Sequence, residues 1–190
     1  MGAAASEDRF ADDDDDAIAR VLAGETAAFR ILVERHEGPI VRFARGLAPR
    51  SSAPEDIAQE AFVSAFMALA TFDRRRGRFR SWLLTITKNL CLNARQKKTP
   101  LPLAEPPETV APFTPADELV AAHARRSLDA ALGALPDPLR SCFVLAEIVG
   151  VPMGEVADMD RVPIGTIRSR LSRAKARLRA ALAPIRGGQS

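Results

Sequence analysis

Apolar residues recur along this chain at intervals of three and four, and runs that alternate with period two are few. That rhythm predicts helices from one end to the other. The clearest case is the last unit, Met153 to Leu182. A short helix there turns Val156, Ala157 and Met159 inward, and the chain bends near Arg161-Val162-Pro163. A long helix then starts between Ile164 and Thr166, with Ile164, Ile167, Leu171, Ala174 and Leu178 on one side. Pro163 suits the first turn, where a missing N–H costs nothing.

Upstream, the pattern predicts a helix over Ala17–Ala23, a break at Gly24, and a second helix to about His36 with Phe29, Leu32 and Val33 inward. Gly38-Pro39 reads as a stop, followed by a short helix over Ile40–Ala48. Ser52 is expected to cap the next helix, with Pro54 in its first turn and Glu55 three residues on. That helix runs to about Ala70 and buries Ala58, Ala61, Phe62, Ala65, Phe66 and Leu69. Asp56, Gln59, Glu60 and Val63 share another face, which taken alone is a solvent face. Ser81 is the expected cap of a helix from Trp82 to Lys97.

Residues 99–116 lose all periodicity and carry six prolines, from Pro100 to Pro115, as a semi-extended linker does. Thr114-Pro-Ala-Asp117 opens a helix through Leu132. Asp137 is expected to cap a helix over Pro138–Val149 that ends at Gly150. The expected fold is therefore all-α: two small helical domains joined by a Pro-rich linker, the second a helix-turn-helix domain. The divisions are an acidic, disordered stretch over 1–12, a first domain over 13–98, the linker over 99–116, a second domain over 117–184, and a tail over 185–190.

Charge sharpens this picture. The net charge is only +3, but Glu7, Asp8 and Asp12–Asp16 gather at one end and residues 161–190 hold eight Lys/Arg with no acid. Such segregation points to a polyanion at the basic end; the plainest reading of the aspartate run is a solvated charge run. A helix anchored by one apolar face with Arg168, Arg170, Arg173 and Lys175 on the other is suited to the major groove. A basic solvated surface helix is the bland alternative. The stretch FDRRRGRFR over residues 72–80, with Trp82 behind it, interleaves cations with rings as single-stranded DNA requires. Phe79 and Trp82 serve equally well as core.

Cys91 and Cys142 are the only cysteines, without CxxC spacing, which fits a reducing compartment. Neither a signal peptide nor a membrane span is visible, so a cytoplasmic protein without membrane insertion is expected. The chain has no GxxxxGK[ST], HExxH or GxSxG, and His36 and His123 stand isolated as surface residues. No enzyme activity, cofactor or metal is expected.

In order, AFRILVERHEGPIVRFA, PEDIAQEAFVSAFMAL, GRFRSWLLTITKNLCLNARQKK, LDAALGALPDPLRSCFVLAEIVGVPMGEVA and VPIGTIRSRLSRAKARLR resemble the segments of an extracytoplasmic-function (ECF, group IV) sigma factor of the sigma-70 family. The resemblance covers most of residues 13–182. It implies a promoter-specificity subunit that binds the RNA polymerase core at its clamp coiled coil and flap regions. It assigns Asp56, Gln59, Glu60 and Val63 to the clamp. Phe79, Trp82, Lys88, Asn89, Asn93 and Arg95 go to single-stranded −10 DNA, which this domain would open. Thr166, Arg168, Ser169, Arg170, Arg173 and Lys175 go to duplex −35 DNA, Thr166 on a phosphate. It implies an anti-sigma factor as inhibitor, and a linker that runs toward the RNA exit path.

This chain departs from the family at Asp160-Arg161, where an apolar residue and glycine are usual, and at Ser172, where larger residues are common. Asp160 must point outward or find a partner. The rival expectations are a helix-turn-helix regulator that binds duplex DNA without polymerase, and a protein-interaction adaptor with a merely soluble basic helix.

Overall fold

The computed structural model describes residues 13–49, 51–97 and 126–186. The acidic stretch over 1–12, the proline-rich linker, the Thr114–Asp117 helix start and His123 lie outside the described residues. The described residues are helical with no strand, in two helical domains, as the periodicity predicts.

Helix α1 covers residues 13–22 and begins inside the aspartate run. The next helix, α2, is Phe29–Leu47, unbroken, with Pro39 in its interior. The expected stop at Gly38-Pro39 is thus corrected. An interior proline costs about 3 kcal/mol. Against that, Leu32, Ile40, Phe43 and Leu47 are completely buried along the same stripe, and each such side chain contributes about 1.5–3 kcal/mol. Burial wins, and the two predicted short helices are one.

Helix α3 is Pro54–Ala68, prolonged by a 3₁₀ turn over Leu69–Thr71. Ala53 precedes it without a side-chain cap, so Ser52 is not the cap; its N–H instead closes a turn onto the Pro49 carbonyl at 3.0 Å. The helix's inward face is as expected except that Ile57 is also buried and that Phe66 lies at the rim, 37% exposed, edge-on to Phe29. Helix α4 is Phe79–Lys97. Ser81 does not cap it, because Gly77 at φ +147° turns the chain earlier and the Arg78 carbonyl already accepts from the Trp82 N–H.

Helix α5 covers 126–133. Helix α6 starts at Asp137 and runs as α-helix to Phe143 and as a π-helical turn over Val144–Val149, closed by Gly150 at φ +78°. Asp137 is its first residue, not its cap, and its carboxylate reaches across to Arg95. Helices α7, Met153–Asp160, and α8, Ile164–Arg186, complete the helix-turn-helix. Arg161 between them holds left-handed backbone (φ +53°, ψ +46°), the conformation that glycine adopts without cost. Ile167, Leu171, Ala174 and Leu178 are buried as predicted; Ile164 is not, being 42% exposed.

The two domains pack directly on one another. One apolar core runs from Ile40 and Leu47 of α2 into Cys142, Val144, Leu145 and Val156 of the second domain. Gly46 makes this close approach possible: a Cβ there would lie 2.8 Å from both Val144 methyl carbons. Arg140, buried, donates through Nε to the Leu132 carbonyl at 2.6 Å and through Nη1 to the Leu47 carbonyl at 3.3 Å.

Candidate nucleic-acid interface

Three surfaces gather the polar residues that the core does not use. On α3, Asp56, Gln59, Glu60 and Val63 are all exposed on one face. Val63 is 56% exposed and Met67, one turn on, 79%. Met67 extends the patch beyond the four residues the sequence singles out; the signal for it was the i+4 spacing from Val63. Together they form a small outward apolar patch within a polar stripe.

The second surface lies around the loop before α4. A cavity of about 660 Å³ opens there, walled by Phe72 and Phe79 and rimmed by Arg35, Arg42, Arg74, Arg75, Arg78 and Arg80, with Asp14, Asp15 and His36 on one side. Phe72 packs edge-on to Phe79 at 5.8 Å between centroids, and Trp82 lies within 5.7 Å of both. Phe79 is only 2% exposed, so it serves as the wall's support, while Trp82 is half-buried. The Asp73 side chain accepts from the Arg75 side chain and backbone N–H, which holds its carboxyl below the usual carboxylate range and pins the turn over Arg74–Arg76. Arginines beside flat rings in a concave wall can hold phosphates and bases together.

The aspartate run, expected to be solvated, is so at Asp13 and Asp16, but Asp14 and Asp15 belong to this surface. Asp14 is buried, its Oδ1 accepting from Arg35 Nη1 at 2.5 Å. Asp13 pairs with Arg35 and Asp15 with Arg74. His36, expected at the surface, is 5% exposed, its ring tilted against Phe79 at 5.4 Å between centroids. Arg35, His36 and Arg42 were missed by sequence reasoning because they come from α2, remote from the loop in the chain.

On α4 the −10 candidates divide between two faces. Trp82, Asn89 and Asn93 share one, and Asn89 and Asn93 are exposed. Ser81, Lys88 and Arg95, spaced by seven, share the neighbouring face and point at the second domain. Ser81 Oγ donates to Glu155 Oε2 at 2.7 Å. Lys88 Nζ donates to Asp160 Oδ1 at 2.5 Å, and Arg95 Nε lies 3.1 Å from Asp137 Oδ1.

The third surface is α8. Arg168, Ser169 and Arg173 are exposed and Thr166 is half-buried. Ser169 Oγ donates to the Thr166 carbonyl, and Arg173 donates to Ser169 through Nε and Nη2, each at 3.2 Å. Arg170 Nη1 donates to Asp160 Oδ2 at 2.7 Å, and Lys175 Nζ lies 2.9 Å from Glu147. Arg168, Ser172, Lys175 and Arg179 border a shallow cavity of about 290 Å³ beside Met153. A cationic helix with a short leading helix packed across it fits a groove-reading unit. Burial raises both thiols, Cys91 to about 12, so neither is a reactive group. Among the described residues no cluster of His, Cys, Asp and Glu could hold a metal, and no helix is long and apolar enough to cross a membrane.

Residues 32–100 match the model of sigma-70 region 2, and residues 125–178 that of sigma-70 region 4. The chain belongs to the sigma-70 family. The two matched regions are the two helical domains, and together they span well over half of the chain. It is an ECF-type RNA polymerase sigma factor, which binds core polymerase and promoter DNA, recognises −10 and −35 elements, and directs transcription initiation. Similar proteins include the ECF RNA polymerase sigma-E factor of Haemophilus influenzae, 27% identical over 88% of this chain and 94% of the relative. The RNA polymerase sigma-H factor of Pseudomonas aeruginosa is 29% identical over 90% of this chain and 95% of the relative. Among solved structures, CnrH in complex with the cytosolic domain of CnrY is 28% identical, with a TM-score of 0.68 over 90% of this chain and 98% of that one. The sigma factor RpoE of Bartonella quintana, solved with the anti-sigma factor NepR, shares the fold at 22% identity, TM-score 0.63, over 82% of this chain and 96% of that one.

Proposed function

We propose that this sigma factor is a group IV member, acting in the cytoplasm without covalent chemistry of its own, and that its three surfaces divide the work of initiation. The domain over 13–98 holds the polymerase clamp through Asp56, Gln59, Glu60 and Val63, with Met67 added to that patch. The same domain takes the opened −10 strand along Trp82, Asn89 and Asn93, with Lys88 and Arg95 on its phosphates and Phe79 behind the cavity wall. A base that leaves the stack loses stacking energy, and a ring-walled cavity beside arginines can replace it. The domain over 117–184 lays α8 in the −35 major groove, where Arg168, Ser169, Arg170, Arg173 and Lys175 meet base edges and phosphates and Thr166 a phosphate at the helix start.

The observation that carries this reading is the separation of the faces. An acidic stripe with outward apolar residues lies on α3, a ring-walled arginine cavity before α4, and an acid-free cationic helix at α8. A duplex-binding repressor needs only the last. Run-off transcription with purified core on genomic templates is the test. Stimulation from discrete start sites is expected, and reversal of Asp56 and Glu60 to Lys should abolish it while leaving the melting temperature in place. Stimulation undiminished by that reversal would sink the clamp assignment.

We also infer an anti-sigma partner. The support is that CnrH, alike over nearly its whole length, was solved with the cytosolic domain of CnrY bound. Co-purification of an inhibitor that blocks core binding is the expected outcome of affinity capture from the native host.

A further inference from the structure

Asp160 stands where helix α7 ends, with its side chain only 5% exposed, and both of its oxygens are used. Oδ1 accepts from Lys88 of the first domain at 2.5 Å and Oδ2 from Arg170 of the second at 2.7 Å. Those two cations are about four-fifths covered, at 20% and 21% side-chain exposure. The same face of α4 is engaged at both sides of this point, by Glu155 at Ser81 and by Asp137 at Arg95. Thus three carboxylates of the second domain sit along one stripe of α4, where promoter phosphates are proposed to lie.

We propose that Asp160 is an autoinhibitory latch: its carboxylate stands in for DNA phosphate, holding Lys88 and Arg170 together so that neither domain can take its DNA until the two separate. The inference rests on the assignment of α4 and α8 to promoter DNA. Closure and DNA binding are mutually exclusive, because one cation cannot serve the carboxylate and a phosphate in the same covered position. The close-packed seam of Gly46 on Val144 lies in the same interface, and the Asp160 contacts are what keep that interface closed. Partly buried pairs of this kind respond strongly to loss of one partner, since the remaining charges stay desolvated.

The test uses the full chain with spin labels at Ala70→Cys and Ala180→Cys, both exposed positions, the native Cys91 and Cys142 being buried. Interdomain distances are measured by pulsed electron resonance, and affinity for a fluorescent mixed-sequence duplex by anisotropy at low salt. Asp160→Asn should lengthen the distances and tighten duplex binding by roughly tenfold. Asp158→Asn, an exposed acid on the same helix, removes the same charge and should change neither appreciably. Gly46→Val, which forces the seam apart without touching a cation, should act in the same direction as Asp160→Asn. The latch is overturned if Asp160→Asn keeps the parent distances, whatever Gly46→Val does, or if opening leaves duplex affinity unchanged. Circular dichroism confirms that each variant is folded. Run-off transcription with core separates the two ideas: inactivity of the parent chain with core would strike the promoter-DNA assignment, whereas an unlatched distance distribution in the parent would strike the latch alone.

Discussion

The Nε2 of His36 lies 2.8 Å from Oδ2 of Asp14, both side chains less than a tenth exposed. This pair joins α1 to the middle of α2, and Arg35 holds the other oxygen of the same carboxylate. Removing the carboxylate takes a partner from the buried His36 and from the partly buried Arg35, at a cost of about 2–4 kcal/mol. Asp14→Ala should therefore lower the melting temperature by several degrees. Asp16→Ala, whose side chain is 70% exposed in its pair with Arg20, should barely move it. Equal effects in a thermal melt would show that α1 is not anchored through Asp14.

Cys91 is fully buried and its thiol is pushed up to about 12 by burial. It should resist a thiol reagent at neutral pH until the chain is unfolded. The sign for stability follows from the same shift. An unfolded Cys ionises near pH 9 while the folded one stays protonated, so the folded state holds the extra proton between those values. Stability from this group is complete below about pH 9 and falls as pH rises toward 12, by about 1.4 kcal/mol per unit. Cys91→Ala should flatten that alkaline limb in denaturant titrations; an unchanged slope would contradict the burial.

Arg161 is the only non-glycine among the described residues with positive φ. Arg161→Gly removes a left-handed side chain and should stabilise the domain by about 0.5–1 kcal/mol, reduced by the added freedom of the unfolded chain. Calorimetry would show a small rise in melting temperature. A fall would mean that the arginine side chain makes a contact worth more than the strain.

Val63 and Met67 contribute little to the fold from their exposed positions. Val63→Asp should leave the melting temperature within about a degree, since surface changes lie near ±0.5 kcal/mol. Affinity for core polymerase should fall by tenfold or more, roughly 1.4 kcal/mol, as a charge enters an interface centre. Retained affinity in a pull-down titration would remove Val63 from the clamp patch.

Arg168 and Arg173 differ in attachment, the second leaning on Ser169. If Arg168 reads a base edge, Arg168→Ala should cost about 1–3 kcal/mol on the −35 duplex and relax preference at one position. A phosphate role would instead weaken all sequences alike and reduce the salt slope by about one. Holoenzyme binding to a substitution series across the −35 element distinguishes these outcomes, and no effect at all would take Arg168 off the DNA.

Helix α3 shows how far the chain's own pattern reaches. Ile57, Ala58, Ala61, Phe62, Ala65 and Leu69 are buried and Asp56, Gln59, Glu60 and Val63 exposed, all but Ile57 as the periodicity sorts them. Spacing along one helix is local information. The same holds for Gly150, which ends α6 in left-handed backbone, and for the apolar stripe of α8 from Ile167 onward. Local reading failed where a distant partner decided. Ser81 looks like a cap but bonds Glu155, 74 residues away. Asp137 looks like a cap but faces Arg95, and His36 looks like a surface residue but is buried against Asp14 and Phe79.

By itself, the order of residues determined an all-helical chain in two halves, with a basic final helix and an outward acidic stripe, because helical periodicity and charge are properties of near neighbours. Only the tertiary structure decided that α2 continues through Pro39, that His36 and Asp14 are buried together, and that Asp160 joins Lys88 to Arg170. Each of those outcomes depends on burial and pairing between segments brought together by packing, where desolvation outweighs local preference.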